Sequence, residues 1–584
     1  LKRVFFSSKQ KFAQFFVFCA KSFTFAQNFF HKILTFMIKE NLLKLFADSF
    51  KQNWDYAAFT DYPENTTLRY SQVATEIARL HILFELNGIS EGDKIALIGK
   101  NSANWCIIYL ATITYGAVIV PVLHEFNPSD IMYIIEHSDS THAFADMAIW
   151  NKLENKKHNL LKSVFSINDF SLLYSQSQVL AYANCENIFA EKFPNGFQKS
   201  DIKYLQRDNS CLVSLNYTSG TTGYSKGVML SGNALAGNIT FGIETQILQP
   251  KYKLVAFLPF AHSYGCAFDF LTATVVGCNI FIITKIPTPQ LLLEAFEFVH
   301  PNVVFSVPMI IEKIYQKKIF PTISKPIFKI LFSIPLINSI LKNKIRKSLT
   351  GAFGGNIFQV IIGGAAMNAE VEDFFLKIHF PMTIGYGMTE CAPLISYTVF
   401  SEFVPTSCGK ILPKMEVKII DKNPETGNGE VCVRGENLML GYYKNKQATD
   451  ESIDNEGWFH TGDLGTVSED GTIFLRGRSK TMILNSNGQN IYPEEIEAKL
   501  SLMPYVSECL IVKRGKKLVA LIFPDYEELT ERYIDKDMLN VLMEINRIEL
   551  NTQVAKYEQI AYLEIRENEF EKTPKKSIKR FLYK

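Results

Sequence analysis

None of the ten cysteines forms a C-x-x-C pair. That absence argues against a zinc site and against a disulfide framework, and it fits a reducing cytoplasm. Net charge is almost absent too: 61 Lys and Arg stand against 59 Asp and Glu, a formal balance of +2. No global field therefore draws the chain to nucleic acid. Long hydrophobic runs are missing as well. The apolar run Phe12–Ala20 is too short to span a bilayer, and no internal repeat is visible. A single core is excluded by size, because 584 residues demand two domains or more. Phenylalanine, by contrast, is plentiful at 46 residues, which permits large apolar cores or an apolar ligand tunnel; core packing accounts for most of them.

Two lysine-rich stretches contain no acidic residue. Residues 1–36 contain no Asp or Glu and carry Lys2, Arg3, Lys9, Lys11, Lys21 and Lys32 among many phenylalanines. This is the pattern of a targeting or membrane-surface leader; the other reading is an extension ahead of a native start at Met37. Residues 313–347 are also free of acid and hold Lys313, Lys317, Lys318, Lys325, Lys329, Lys342, Lys344, Arg346 and Lys347 among Ile, Leu and Phe. An ordinary solvated face is the plain reading. Peripheral contact with anionic lipid or an acidic partner is the sharper one.

Between these stretches, short apolar strands alternate with amphipathic helices. Val73, Ile77, Leu80 and Phe84 share one helical face, and Gly88 can end that helix. Strands are expected at 94–98, 117–120, 279–284, 303–307 and 359–362, and helices at 103–115 and 290–298. Such alternation predicts an α/β fold with mainly parallel sheets flanked by helices. Ligands in such sheets sit at the carboxyl ends of the strands. From about Pro413 the pattern turns to short β segments, with a hairpin signal at Asp470-Gly471.

The most informative segment is residues 217–228, Tyr-Thr-Ser-Gly-Thr-Thr-Gly-Tyr-Ser-Lys-Gly-Val. Glycines let backbone N–H groups turn towards a ligand, hydroxyls add donors, and Lys226 adds a mobile cation, a set suited to polyphosphate oxygens. A Walker A loop fails because Ser225 stands where its second glycine belongs. Residues 223–227 match G-x-S-x-G, but a nucleophile elbow needs a helix next, and the β-prone Val228-Met229-Leu230 follows instead.

Five further segments follow in order: Phe257-Leu258-Pro259-Phe260-Ala261-His262-Ser263-Tyr264-Gly265, then Gly363-Gly364-Ala365, then Gly385-Tyr386-Gly387-Met388-Thr389-Glu390, then Trp458-Phe459-His460-Thr461-Gly462-Asp463, and finally Arg476-Gly477-Arg478-Ser479-Lys480 leading to Asn487–Glu497. With the glycine-rich loop, this series resembles the adenylate-forming superfamily across roughly residues 40 to 584, and within it the bacterial long-chain fatty-acid–CoA ligases. The resemblance implies a large N-terminal adenylate-forming domain over 37–477, with a small β-rich subdomain, and a small mobile α+β cap over 478–584. It also implies activation of a fatty acid by ATP, with Mg²⁺, to acyl-AMP and pyrophosphate, followed by transfer to CoA. The expected place is the cytoplasm, with peripheral contact to the inner face of the membrane.

Roles carried over by the resemblance are as follows. Thr218, Ser219, Gly220, Thr221, Thr222, Gly223 and Lys226 would hold the β- and γ-phosphates. Glu390 would bind Mg²⁺, Thr389 would bond the α-phosphate, and Asp463 and Arg478 would hold the ribose. Gly364 and Ala365 would let adenine and the acyl chain lie against the backbone, with Tyr386, next to Gly387, stacking on adenine. His262 would shape the acid pocket, Lys480 would be the hinge, and Gly488 would line the pantetheine entry.

One position departs from the pattern. Similar ligases read T-P-x-x-K-x-K-R near the C-terminus, and here Ser577 stands at the aligned lysine of Thr573–Arg580. Lys576 is then the residue expected to reach the reacting carboxylate, or adenylation is slow. Two other functions stay open on these residues: a ligase loading a carrier protein instead of CoA, and a catalytically weak, membrane-associated protein that binds nucleotide and acid.

Overall fold

The computed structural model describes Ile38 and residues 40–583, apart from 154–159, 177–179, 219–224, 324, 485–489, 516 and 574–577. The two readings of residues 1–36 therefore concern a segment outside the described residues.

The fold is α/β, as expected, and is built on two large mixed sheets. Among the described residues the first has eight strands in the order Gly441–Tyr442, Lys226–Ser231, Leu212–Thr218, Val118–Val122, Lys94–Ile98, Ser140–Ala145, Ser163–Ser166 and Leu172–Ser175. The second has seven, in the order Met382–Ile384, Gln359–Ile362, Val303–Ser306, Lys253–Ala256, Asn279–Ile283, Ala57–Tyr62 and Thr66–Arg69. Central strands of both pair in parallel, for example Lys94–Ile98 with Val118–Val122 and Val303–Ser306 with Gln359–Ile362. Their runs of Val and Ile are buried almost without alternation, as central parallel strands covered on both faces require.

Helix Ala103–Tyr115 packs against strands of both sheets. The sequence explains its position, because it is apolar nearly all round and its residues from Ala103 to Thr114 are almost all buried. Ser102 caps its start by accepting from Trp105 N at 3.1 Å, and Gly116 ends it in the left-handed conformation at φ 96°. Asp61, on a strand of the seven-stranded sheet, accepts from Ala103 N at 2.8 Å and fixes the helix in register. Trp105, Tyr109, Phe260 and Phe270 form one aromatic cluster around it. The neighbouring helix, Tyr70–Leu86, buries Val73, Ile77, Leu80 and Phe84, the face read from the sequence.

After these sheets comes a four-stranded antiparallel sheet of Met415–Ile420, Gly429–Gly435, Phe459–Val467 and Ile473–Arg478. Its last two strands turn at Asp470-Gly471, with Gly471 at φ 84°. Beyond Arg478 a separate core forms around the strands Val506–Arg514, Lys517–Pro524 and Ile560–Ile565, with Ile496, Leu500, Met543 and Leu550 packed on it from two helices. This small unit touches the larger one where Gln316 Nε2 donates to Ser501 O at 3.0 Å and where the Asn368 amide donates to Ala498 O.

The core carries its own pH sensitivity. His81, on helix Tyr70–Leu86, is half-buried, and its Nε2 meets Ala111 O and Thr114 Oγ1, each at 3.1 Å. Burial pulls its pKa down from 6.5 to about 4. A depressed folded pKa means that the unfolded chain takes up the proton first. The contribution to stability is therefore complete above pH 6.5 and is lost as pH falls towards about 4. Chemical denaturation across that window is expected to show a steeper loss of stability for the native chain than for His81→Gln, which cannot titrate; parallel curves for the two proteins would contradict the assignment.

Candidate active site

Strand Leu212–Thr218 and strand Lys226–Ser231 are antiparallel neighbours, with Thr218 paired directly to Lys226. The described ends of the glycine-rich segment thus lie on two paired strands of the eight-stranded sheet, while Ser219, Gly220, Thr221, Thr222 and Gly223 lie outside the described residues. Ser225 precedes a strand, not a helix, so the hydrolase elbow has no support.

Lys226 places its ammonium 4.7 Å from the centre of the Tyr442 ring. Tyr442 comes from Gly441–Tyr442, the short edge strand that pairs with Val228 and Met229. Its hydroxyl donates to Glu390 Oε1 at 2.9 Å, and Met439 N donates to Glu390 O at 2.8 Å. One residue earlier, Thr389 Oγ1 lies 3.4 Å from Ser263 Oγ, beside His262. Contacts thus link Lys226 to Tyr442 and Tyr442 to Glu390, and the adjacent residue Thr389 links to Ser263. Glu390 Oε1 is held by the Tyr442 hydroxyl. A carboxylate oxygen is the donor that a hard divalent cation prefers, so Glu390 fits the magnesium role.

A second group adjoins the first. Tyr386 donates through its hydroxyl to Asp463 Oδ2 at 2.6 Å, and Arg478 Nε lies 3.0 Å from Asp463 Oδ1. Asp463 and Arg478 are cross-strand partners in the four-stranded sheet. Asp463 is buried, and burial pushes its carboxyl above the usual carboxylate range; the Arg478 charge and the Tyr386 hydroxyl act in the opposite sense. Burial, together with the Asp463 charge, likewise holds the Tyr386 phenol well above its ordinary pKa. Arg478 remains largely exposed, so its guanidinium faces solvent as well as Asp463.

The glycines of the motifs have specific duties. Gly387 packs so closely on the Pro393 carbonyl that a Cβ would collide with backbone. Gly364, at φ 88°, would bring a Cβ no closer than 3.8 Å to Val307, so its backbone borders open space. Ala365 follows it on the surface. Tyr264, whose hydroxyl donates to Ile361 O at 2.9 Å, packs behind Gly363.

His262 and Gly364 both line a cavity of about 970 Å³. The His262 ring is oriented by Tyr264 N, which donates to Nδ1 at 3.3 Å, and the backbone around it opens the π-helical turn Gly265–Thr272. Lys480 is exposed, two residues beyond Arg478. Gly488 and Lys576 lie outside the described residues.

The structure thus brings Thr218, Lys226, Tyr386, Thr389, Glu390, Asp463 and Arg478 together from four separate parts of the chain. Sequence reasoning missed Tyr442. Its only signal was a Gly-Tyr-Tyr run with no spacing to any motif, and the contact depends on strand pairing.

Comparison with known proteins agrees with this geometry. The AMP-binding enzyme family matches residues 46–443, and the AMP-binding enzyme C-terminal domain matches residues 480–583. The chain is 29% identical over 450 residues to the putative acyl-CoA synthetase YngI of Bacillus subtilis, spanning 73% of this chain and 76% of the relative. It is 25% identical over 514 residues to the human long-chain-fatty-acid–CoA ligase ACSBG1, spanning 81% of this chain and 69% of the relative. Among solved structures, the anthranilate CoA ligase AuaEII in complex with anthranoyl-AMP superposes with a TM-score of 0.75 at 18% identity, covering 93% of this chain and 96% of that one. With two-thirds of its length matched by one family and its two polar groups built from that family's motif segments, this chain belongs to the AMP-binding enzymes of the adenylate-forming superfamily.

Proposed function

We propose that the protein joins a long-chain fatty acid to CoA in two steps at one site. A carboxylate oxygen attacks the α-phosphorus of ATP, and the bond to pyrophosphate breaks. The CoA sulfur then attacks the acyl carbon, releasing AMP and a proton. The observation that carries the choice of acid is the cavity of about 970 Å³ behind His262 and Gly364. Its wall includes Phe257, Leu292, Phe296, Ile310, Ile345 and Phe353. Its volume lies near the top of the range of about 300–1,000 Å³ usual for small-molecule pockets. Each methylene moved from water into such a wall contributes about 0.8 kcal/mol, which favours long chains over short ones. The relatives, a putative acyl-CoA synthetase and a long-chain-fatty-acid–CoA ligase, point the same way.

Both partners of the first step are anions, so the site must offset their repulsion and align them. In this reading Lys226 and the loop 218–223 receive the β- and γ-phosphates, and Thr389 bonds the α-phosphate. Glu390 would hold Mg²⁺, which, when bound, neutralises phosphate charge. Asp463, pre-set by Tyr386 and Arg478, accepts from the ribose hydroxyls. His262 positions the carboxylate at the cavity mouth. Lys576 supplies the cation beside the reacting carboxylate in place of the residue at 577, Lys480 is the hinge, and Gly488 lines the thiol entry.

The cavity roof supports a peripheral contact with anionic lipid. Helix Pro335–Ala352 lines the cavity with Leu341, Lys344 and Ile345. On the stretch 313–347 Ile327, Ile334 and Ile340 are exposed, alongside Lys325, Lys344 and Lys347, with Lys342 half-buried. Exposed isoleucines among cations and no acid suit an anionic bilayer surface, where each cation contributes about 1 kcal/mol. Among the described residues no helix is long and apolar enough to cross a membrane.

Pyrophosphate release is expected to rise along a series of straight-chain acids, with thioester formed only when CoA is supplied. Ile310→Trp should move the optimum towards shorter acids. A preference of the native chain for short or aromatic acids would remove the substrate assignment, and turnover with a phosphopantetheinyl carrier in place of CoA would remove the acceptor assignment. Asp463→Asn should lower kcat/KM for ATP by roughly ten- to hundredfold, the loss of a hydrogen bond to a charged group; unchanged steady-state kinetics would exclude a ribose role. In flotation assays the protein should rise with phosphatidylserine vesicles at low salt and not with neutral ones, and Lys342→Glu/Lys347→Glu should stay at the bottom. Equal flotation with both vesicle types would rule out the charged surface.

A further inference from the structure

Away from the nucleotide site, the four-stranded sheet places three metal-ligating side chains side by side. Cys432 and His460 are directly opposed on the antiparallel strands Gly429–Gly435 and Phe459–Val467. Glu430, two residues before Cys432, projects from the same face. One donor atom from each of the three lies within 4.8 Å of the others. Glu430 Oε2 is 3.2 Å from His460 Nδ1, and Cys432 Sγ is 3.7 Å from the same nitrogen.

Those separations match what a tetrahedral ion requires. Zinc bonds of about 2.0–2.1 Å to nitrogen and oxygen and about 2.3 Å to sulfur set neighbouring donors about 3.3 Å apart for N and O and about 3.6 Å apart for N and S. A cross-strand His–Glu ion pair would explain the first distance alone. It does not explain why a buried thiol points at the same ring nitrogen.

The surroundings complete the arrangement. Glu430 Oε1 accepts from Gly462 N at 2.9 Å, which fixes the carboxylate and leaves Oε2 on the cluster side. Asp454 Oδ2 lies 3.8 Å from His460 Nε2, where a carboxylate steadies a metal-bound imidazole through its far nitrogen. Glu430 and His460 are partly exposed, so solvent reaches the remaining coordination position. Lys418, the other cross-strand neighbour of Cys432, is drawn aside: its ammonium lies 4.4 Å from the Trp458 ring centre and 3.7 Å from Asp454 Oδ2.

We propose that Glu430, Cys432 and His460 bind a divalent transition-metal ion of the zinc class, with water in the fourth position. The donor set, one thiolate, one imidazole and one carboxylate, selects zinc or cobalt over magnesium or calcium. The ion would tie two strands together three residues ahead of Asp463, on the opposite face of the same strand. Binding releases the thiol proton to solvent, because the sulfur must coordinate as thiolate. This inference does not rest on the ligase reading.

The test is titration of the full chain with Co²⁺ alone, followed by absorbance. A near-ultraviolet thiolate-to-cobalt band is expected, displaced by Zn²⁺, together with a rise in unfolding temperature when Zn²⁺ is added. Cys432→Ser should abolish the band, and His460→Ala should weaken Zn²⁺ binding by at least roughly tenfold. Both variants should retain the native far-ultraviolet circular dichroism, since neither residue lies in the nucleotide site. Absence of the band in the native chain, or a band of equal strength in Cys432→Ser, overturns the proposal.

Discussion

The buried Asp463 carboxylate is the interaction on which the rest of the site depends. It is gripped from one side by Tyr386, which follows a strand of the seven-stranded sheet, and from the other by Arg478, at the end of the four-stranded sheet. A carboxylate in a buried position is costly unless its lone pairs are satisfied. The protein meets that requirement with one partner from the strand Tyr386–Gly387 and one from the four-stranded sheet. The turn that carries Tyr386 also carries Thr389 and Glu390, so the same constraint sets their distance from Ser263 and Tyr442. The contacts proposed for ribose, phosphate and magnesium are thereby registered to one another.

The scaffold behind this site is rigid for a simple reason. Helix Ala103–Tyr115 has almost no polar face and is held between sheets by packing and by the Asp61 cap. Close-packed aromatic side chains around Trp105 and Phe270 leave the strands little freedom to shift. The cavity behind His262 opens where that packing stops, between the ends of the strands and the helices of residues 308–353. Its roof belongs to the acid-free basic stretch 313–347, so a hydrocarbon-lined space and a cationic outer surface share a helix.

Much of the fold was legible in the chain itself. The strands at 94–98 and 359–362, the helices at 103–115 and 290–298 and the turn at Asp470-Gly471 all follow from apolar runs, helical spacing and turn chemistry that act over a few residues. The motif segments were legible for the same reason, since each is short and local. The pairing of Tyr442 with Glu390 was not, because a two-residue edge strand has no periodicity. The grouping of Glu430, Cys432 and His460 was equally hidden. Zinc motifs read from sequence need donors closely spaced along the chain, whereas these donors sit 28 residues apart and meet only through antiparallel register.

The sequence by itself determined the α/β class, the family and the motif segments from which the candidate site is built. Local propensity and short motifs carry that information without reference to distant contacts. The tertiary structure alone decided the depth and wall of the cavity, the partners of Asp463 and Glu390, and the convergence of ligands on the four-stranded sheet. Each of those depends on strand register and side-chain packing between segments tens to hundreds of residues apart, and no local pattern encodes such distances.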